Sequence, residues 1–282
     1  GTGQRQRPGG GAMSGHDALD DLVARAIATK YQDLCPALVR RIAARELAVR
    51  GRPKEALKST RRKLHQVGAA YWPGSAPAEE RYVEWLGLLR RAQGDPPALR
   101  QACAAIMPSH ASTRERLPLL DRFYQQTLHG IAPVSSMLDL GCGLNPLAVP
   151  WMPLAAEASY HAYDVYGGMM GFLGEALPLL GLRGEAHCAD VLHEPPAAQA
   201  EVALLLKVLP VVEQLWGDPT AFLQAVNARH LLVSYPVASL GGRKRGMRDT
   251  YAQRFEALLG ELGWAWEAHA FETELAYLVH KP

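Results

Sequence analysis

Apolar positions recur at two different periods along this chain, and the change of period divides it. From Leu19 to Leu128 the spacing is helical. Leu19, Leu22, Val23, Ala26 and Ile27 share one face of a first helix. Pro36, suited to a first helical turn, precedes Leu38, Val39, Ile42, Ala43 and Leu47, and Gly51 ends that face. A third helix starts near Pro53, carries Ala56, Leu57, Leu64 and Val67, and stops before the turn signal Pro73-Gly74. Further helices are predicted over 78–93, 97–107 and 114–128, and Gly130 and Pro133 close the block. After Pro133 short apolar runs alternate with helical stretches. Residues 137–140, 160–165, 185–189, 202–206 and 231–234 read as strands of βαβ units in a mostly parallel sheet. Residues 264–271 and 275–280, separated by a polar turn, read as an antiparallel pair at the sheet edge. The expected class is α/β: a helical domain over 16–132, then a Rossmann-like domain over 133–282. The Gly-rich residues 1–15 read as a flexible tail or cloning scar.

Composition narrows the function classes. Of 282 residues 48% are hydrophobic and 21% charged, which excludes wholesale disorder. No run approaches the roughly 18 apolar residues a membrane helix needs, and no apolar secretory segment is visible. The cysteines (Cys35, Cys103, Cys142, Cys188) are scattered without a CxxC, so neither a disulfide framework nor a zinc cluster is expected. No metal site is predicted, and a reducing cytoplasm is the default compartment. The net charge of +2 hides an asymmetry. Residues 16–130 carry 19 Lys/Arg against 12 Asp/Glu, while residues 131–282 carry 9 against 16. A basic half suits a polyanionic partner such as nucleic acid; solvated helix faces would give the same count.

The strongest local pattern is Met137-Leu-Asp-Leu-Gly-Cys-Gly-Leu-Asn-Pro146. A buried strand runs into a glycine turn, with a proline placed to start a helix. Glycines let backbone approach a ligand, and a helix N-terminus offers free N–H groups. The third glycine of a dinucleotide fingerprint is absent. Asp139-x-Gly141-x-Gly143 instead looks like the nucleoside-binding turn of class I S-adenosylmethionine (SAM) methyltransferases; a Gly-rich turn without a ligand is the alternative. Asp164 falls 21 residues after Gly143, at the end of the second strand, where a carboxylate accepts ribose hydroxyls. Asp190, followed by Val191, ends the third strand and could meet the adenine amino group; acidic residues are also common at strand ends for local reasons.

With these stretches in view the chain resembles the aminoglycoside-resistance methyltransferases of 16S ribosomal RNA, the group that modifies guanine N7 in the decoding site. The matching segments are Cys35-Pro36 with Val39-Arg40-Arg41, Leu64-His65 with Ala70-Tyr71, and His110-Ala-Ser-Thr-Arg-Glu-Arg116. They continue through Leu138–Pro146, Leu205-Leu-Lys-Val-Leu-Pro210, Ser234-Tyr-Pro236, Ser239-Leu-Gly-Gly-Arg243 with Gly246-Met247, and Glu274-Leu-Ala-Tyr277. The resemblance covers nearly everything from residue 16 onward. It implies an RNA-docking helical domain, a SAM-binding domain, the 30S subunit as partner, a monomer, and resistance to kanamycin- and gentamicin-type drugs. By resemblance, His110, Ser112, Thr113 and Arg116 reach the cofactor site, with Arg116 holding the methionine carboxylate; a surface ion pair with Glu115 or Asp121 is the alternative. Tyr71 borders the cofactor, Leu206 lies beside the adenine, and Lys207 lies beside the target guanine.

RNA-binding candidates are Arg40, Arg41, Lys58, Arg61, Arg62 and Lys63 in the helices, and Arg243, Lys244, Arg245 and Met247 in the basic loop after the fifth strand. This loop departs from the family pattern. Val237-Ala238 stands where a basic residue is common, and Thr250 where an Asn precedes the tyrosine. Tyr235 replaces a Phe and Ala276 an Ile. Guanine N7 has an in-plane lone pair, so no general base is needed, and Lys207 is expected to hold guanine O6 or a phosphate. A methyltransferase acting on another RNA or a small molecule, and a catalytically silent RNA-binding protein, remain as alternatives.

Overall fold

The computed structural model describes residues 15–28, 31–68, 71–72, 76–237 and 247–282. Residues 1–14 and the loop candidates Arg243, Lys244 and Arg245 lie outside the described residues; Met247 opens a helix.

Helices α1 (Gly15–Ile27), α2 (Pro36–Arg50), α3 (Pro53–Val67), α4 (Glu79–Ala92) and α5 (Pro96–Ile106) follow the expected segments closely. Local chemistry sets their ends. Pro36 and Pro53 sit in first turns, where a missing N–H costs nothing. Gly51 ends α2 in the left-handed region at φ 66°. The Asp95 side chain caps α5 by accepting from the Ala98 N–H at 3.1 Å. The single helix expected over 114–128 is two: α6 (Ala111–Arg116), a 3₁₀ turn at Leu117–Leu119, then α7 (Leu120–Thr127). Pro118 is the cause, because its ring and missing N–H break the ladder. Pro146 likewise starts a 3₁₀ helix, Asn145–Trp151, with Pro150 inside it, and not the α-helix expected there.

All predicted strands form, most of them longer at their N-terminal ends and the sixth one residue shorter at each end: β1 (Val134–Leu140), β2 (Leu154–Asp164), β3 (Arg183–Cys188), β4 (Ala200–Leu206), β5 (Ala228–Pro236), β6 (Ala265–Ala270) and β7 (Glu274–His280). They make one sheet in the order β3-β2-β1-β4-β5-β7-β6. Pairings from β3 through β5 are parallel, and those of β7 with β5 and β6 are antiparallel. The chain moves outward from β1 to β3 and then returns to β4 beside β1. In open sheets that reversal leaves a crevice at the carboxyl ends of the two central strands.

One face of the sheet shares a continuous core with α1–α5 and α8 (Gly167–Leu179). Phe172 of α8 packs against Tyr82 and Trp85 of α4 with centroid distances of 5.5 Å. Each such ring buries enough apolar surface to contribute roughly 2–3 kcal/mol, so this seam fixes the helical half on the sheet. The other face is covered by α9 (Leu209–Trp216), α10 (Thr220–Ala225) and α11 (Met247–Leu262). Tyr235, the Phe substitute, stacks there on Tyr251 at 4.8 Å. Ala276 is fully buried in the first core. No helix of the described residues is long and apolar enough to cross a membrane.

Candidate active site

The crevice is built from the carboxyl ends of β1, β2 and β4. Beyond β1 the chain turns through Gly141 at φ 70° and Gly143 at φ 52°, a region L-residues with side chains enter at a cost of roughly 1–3 kcal/mol. At Gly143 space is a second requirement: a Cβ there would lie 2.5 Å from Cε1 of His110. The glycine turn and the histidine at the start of α6 are therefore one packed unit.

His110 is buried, stacked on Tyr71 at 5.6 Å and 9°, and met edge-on by Trp72 at 5.0 Å. Burial, reinforced by the positive Arg116, Lys207 and Arg114, pushes its pKa down to about 3. The ring is neutral, and its Nδ1 has no protein partner. An imidazole whose pKa is lowered on folding binds its proton more readily in the unfolded chain. Its contribution to stability is present above pH 6.5 and is lost as pH falls toward 3. We expect unfolding free energy, measured by urea titration, to decline over that window less steeply in His110→Phe than in the unaltered protein. Equal slopes would reject the assignment.

Asp164 ends β2 and closes the turn from the other side. Its Oδ2 accepts the Gly143 N–H at 2.9 Å and its Oδ1 accepts the Val165 N–H at 2.6 Å. Burial raises its pKa against these hydrogen bonds. The Tyr166 N–H adds to these, so backbone donors on both flanks fix the carboxylate at the edge of the crevice. Asp190 carries an ion pair with Arg41 of α2 at 3.0 Å through Oδ2, while its Oδ1 is buried without a partner.

Among these groups lies a small cavity of about 60 Å³, with Gly143 and Asp190 just outside its lining. Tyr71, His110, Ser112, Gly141, Asp164, Val191, Leu206 and Lys207, all expected at the site, line it together with Tyr166 and Val208. Other expected residues stand behind the wall. Thr113 is fully buried and its hydroxyl donates to the Met107 carbonyl at 2.6 Å, which ties α6 to the preceding turn. Asp139 is 1% exposed beneath the turn, where it accepts from Tyr160 Oη at 2.5 Å and Asn145 Nδ2 at 2.9 Å. Burial outweighs these donors and brings its pKa to about 6.

Arg116 differs most from expectation. It is fully buried over the Phe123 ring, and its carboxylate partner is Glu274 at 3.0 Å, with Asn145 Oδ1 accepting at 3.0 Å. Neither Glu115 nor Asp121 is that partner. Glu115 instead holds Lys207, whose Nζ lies 2.6 Å from Glu115 Oε2 and 3.2 Å from Glu274 Oε1. Lys207 adopts φ 62°, and its backbone N–H is shared between the carbonyl and hydroxyl of Ser234 at 2.9 and 3.1 Å. The result is a four-member chain of alternating sign, Arg116–Glu274–Lys207–Glu115, ending at the cavity. Sequence reasoning assigns no site role to Glu274, Glu115, Asn145 or Tyr160. The available signal was Glu274, a charge opening an otherwise apolar strand.

The basic candidates on the helices divide. Arg41 is turned to Asp190, Lys63 pairs with Glu46 at 2.7 Å, and Arg61 donates to the Arg25 carbonyl at 2.6 Å. Arg40 pairs with Asp20 on the surface at 2.6 Å. Lys58 and Arg62 are exposed beside Arg50 on a shallow groove.

Comparison with known proteins agrees with this architecture. A family model described as ribosomal RNA methyltransferase (FmrO) matches residues 27–278. A 16S rRNA (guanine(1405)-N(7))-methyltransferase of Micromonospora rosea is 38% identical over 95% of this chain and 98% of its own. One of the same description from Serratia marcescens is 32% identical over 95% and 99%. The crystal structure of 16S rRNA methyltransferase RmtF in complex with S-adenosyl-L-homocysteine superposes with a TM-score of 0.76 at 33% identity, covering 96% of this chain and 100% of that one. The 16S rRNA methylase RmtB gives 0.74 at 29%, covering 94% and 98%. This chain belongs to the FmrO family of ribosomal RNA methyltransferases.

Proposed function

We propose that this protein transfers the methyl group of SAM to N7 of guanine 1405 in 16S rRNA, acting on the assembled 30S subunit in the cytoplasm. The observation that carries the reading is the conjunction in one crevice of the Gly141–Gly143 turn, the Asp164 carboxylate and Lys207. The name and coverage of the relatives support the substrate.

The residues present suit this cofactor. Buried polar atoms without partners, Nδ1 of His110 in the lining and Oδ1 of Asp190 between the lining residues Ala189 and Val191, match a polar nucleoside beside the Asp164 carboxylate. Asp164 would hold the ribose, with Val191 and Leu206 against the base and Asp190 at its amino edge. SAM supplies an electrophilic methyl on a sulfonium. Arg116 sits too deep to reach a ligand directly in this arrangement, so its part is to position Glu274 and, through it, Lys207.

Guanine N7 attacks without prior loss of a proton, so the protein must chiefly align and shield the reactants. The product ring gains positive charge, which a bare lysine nearby would oppose. Here Glu115 and Glu274 flank the ammonium, and together with Arg116 the four groups sum to zero. Lys207 can thus hold guanine O6 or a phosphate without raising the local potential. Extracting a structured base costs a few kcal/mol, which phosphate contacts on the helical half help to offset.

The defining experiment measures methyl transfer to 30S subunits, naked 16S RNA and no RNA, followed by borohydride/aniline cleavage and primer extension. A stop at guanine 1405 with subunits is expected, together with a rise in kanamycin and gentamicin tolerance of cells expressing the protein. Label on another RNA, or none that needs RNA, would replace this reading. For docking, Lys58→Glu with Arg62→Glu should weaken subunit binding and lower the salt slope by about one for each phosphate no longer neutralised. An unchanged slope removes these two residues from the interface.

A further inference from the structure

Strands β2 and β3 are paired in parallel with His161 opposite Glu185 and Tyr163 opposite His187. Side chains two apart on a strand share a face, so the histidines and the glutamate project from the same side. The opposite side, carrying Tyr160 and Ala162, belongs to the core shared with α8. Glu185 is exposed, and the two histidines are partly so. One nitrogen from each imidazole and one carboxylate oxygen lie within 4.8 Å of one another. His187 Nε2 is already 3.2 Å from Glu185 Oε2. That separation is close to the roughly 3.3 Å edge of a tetrahedron with metal–ligand bonds of about 2 Å. The His161 and His187 rings are near parallel, at 16° and 6.4 Å, and Tyr163 stacks on His187 at 4.9 Å, which limits its rotation.

We propose that His161, Glu185 and His187 form a binding site for a borderline divalent transition ion, with Zn²⁺ as its representative, that clips edge strand β3 to β2. Two imidazoles and one carboxylate favour such an ion over Mg²⁺ or Ca²⁺, which take all-oxygen sets. Three protein ligands leave a fourth position open to water. The clip ties the edge strand to its neighbour, joining the two strands whose carboxyl ends lead into Asp164 and Asp190. The site shares no residue with the glycine turn and does not depend on the methyl-transfer reading. No cysteine takes part, so the sequence argument from cysteine spacing did not reach it.

The test uses the full chain, treated with chelator and dialysed into a non-coordinating buffer. Zn²⁺ is titrated against a chromophoric chelator, and Co²⁺ in parallel for its visible d–d bands. One equivalent should bind in the micromolar range, Co²⁺ should give bands of four- or five-coordinate geometry, and a hundredfold excess of Zn²⁺ over Kd should raise Tm by about 4 °C. His161→Gln with His187→Gln should weaken binding at least tenfold and abolish the bands, with an unchanged circular dichroism spectrum. Glu185→Gln should weaken it as well. Equal affinity in the double variant, or no saturable binding by the unaltered protein, overturns the proposal and leaves His187–Glu185 as a surface polar contact.

Discussion

Glu274→Gln should remove about 3–5 kcal/mol of folding stability, the scale of breaking a buried ion pair from one side. The glutamate is fully buried at the start of β7 and contacts two cations, Arg116 at 3.0 Å and Lys207 at 3.2 Å. Burial by itself would raise its pKa. The guanidinium and then the ammonium outweigh that and hold the carboxyl below its ordinary range. Its stabilising effect is therefore present at neutral pH and is lost as pH falls below the unfolded carboxylate range. Without the charge, Arg116 would remain fully buried with the Asn145 oxygen as its main acceptor, and a guanidinium cannot discard its proton to escape. Urea unfolding of the variant measures the loss; a change below about 1 kcal/mol would reject the assigned role. The double variant Glu274→Gln with Arg116→Met separates an unpaired-charge effect from general misfolding. It should recover a substantial part of the loss, because removing both charges costs less than orphaning one.

The central strands of the sheet were legible because they are buried on both faces or nearly so. Val202–Leu206 announces itself as an unbroken apolar run, Met137–Leu140 as one interrupted only by Asp139, and the first strand begins directly after the change of period at Pro133. Helix segments were equally clear where a proline or glycine marked an end. The failures have a common form. A split at Pro118 and a 3₁₀ helix at Asn145–Trp151 were missed because apolar spacing continued across each proline. At the site, the local turn was legible from its glycines and the spacing to Asp164, and the Gly143 N–H donates to Asp164. Ion pairs between residues far apart in the chain were not visible in the sequence. Arg116 and Glu274 are 158 positions apart, and Arg41 and Asp190 are 149 apart. A charge count cannot distinguish an arginine that meets a phosphate from one that meets a carboxylate across the fold. The same limit hid His161 and His187, which only strand register brings together.

Lys207→Ala should reduce methyl transfer to 30S subunits by two to three powers of ten while leaving SAM affinity within about threefold. That is the range seen when one preorganised polar contact to a reacting group is deleted. The geometry gives the split between the two quantities. Lys207 lines the cavity at the end of β4, beside Leu206, but its ammonium is held by Glu115 and Glu274, while Asp164 is held by the backbone of the glycine turn. Glu274 is locked by Arg116, whereas Glu115 is 35% exposed and free to be displaced. An incoming base or phosphate can therefore exchange with Glu115 while Glu274 keeps the ammonium in place. The backbone supports this arrangement, since the left-handed turn at Lys207 is anchored to Ser234 by one shared N–H. Single-turnover transfer at saturating subunit, compared with calorimetric titration of S-adenosyl-homocysteine, separates the effects. Lys207→Arg should retain binding and recover only part of the rate, because a planar fork cannot occupy a point-charge position between two carboxylates. A parallel fall in affinity and turnover would move Lys207 from the reacting base to the cofactor, and near-normal turnover would remove it from the chemistry.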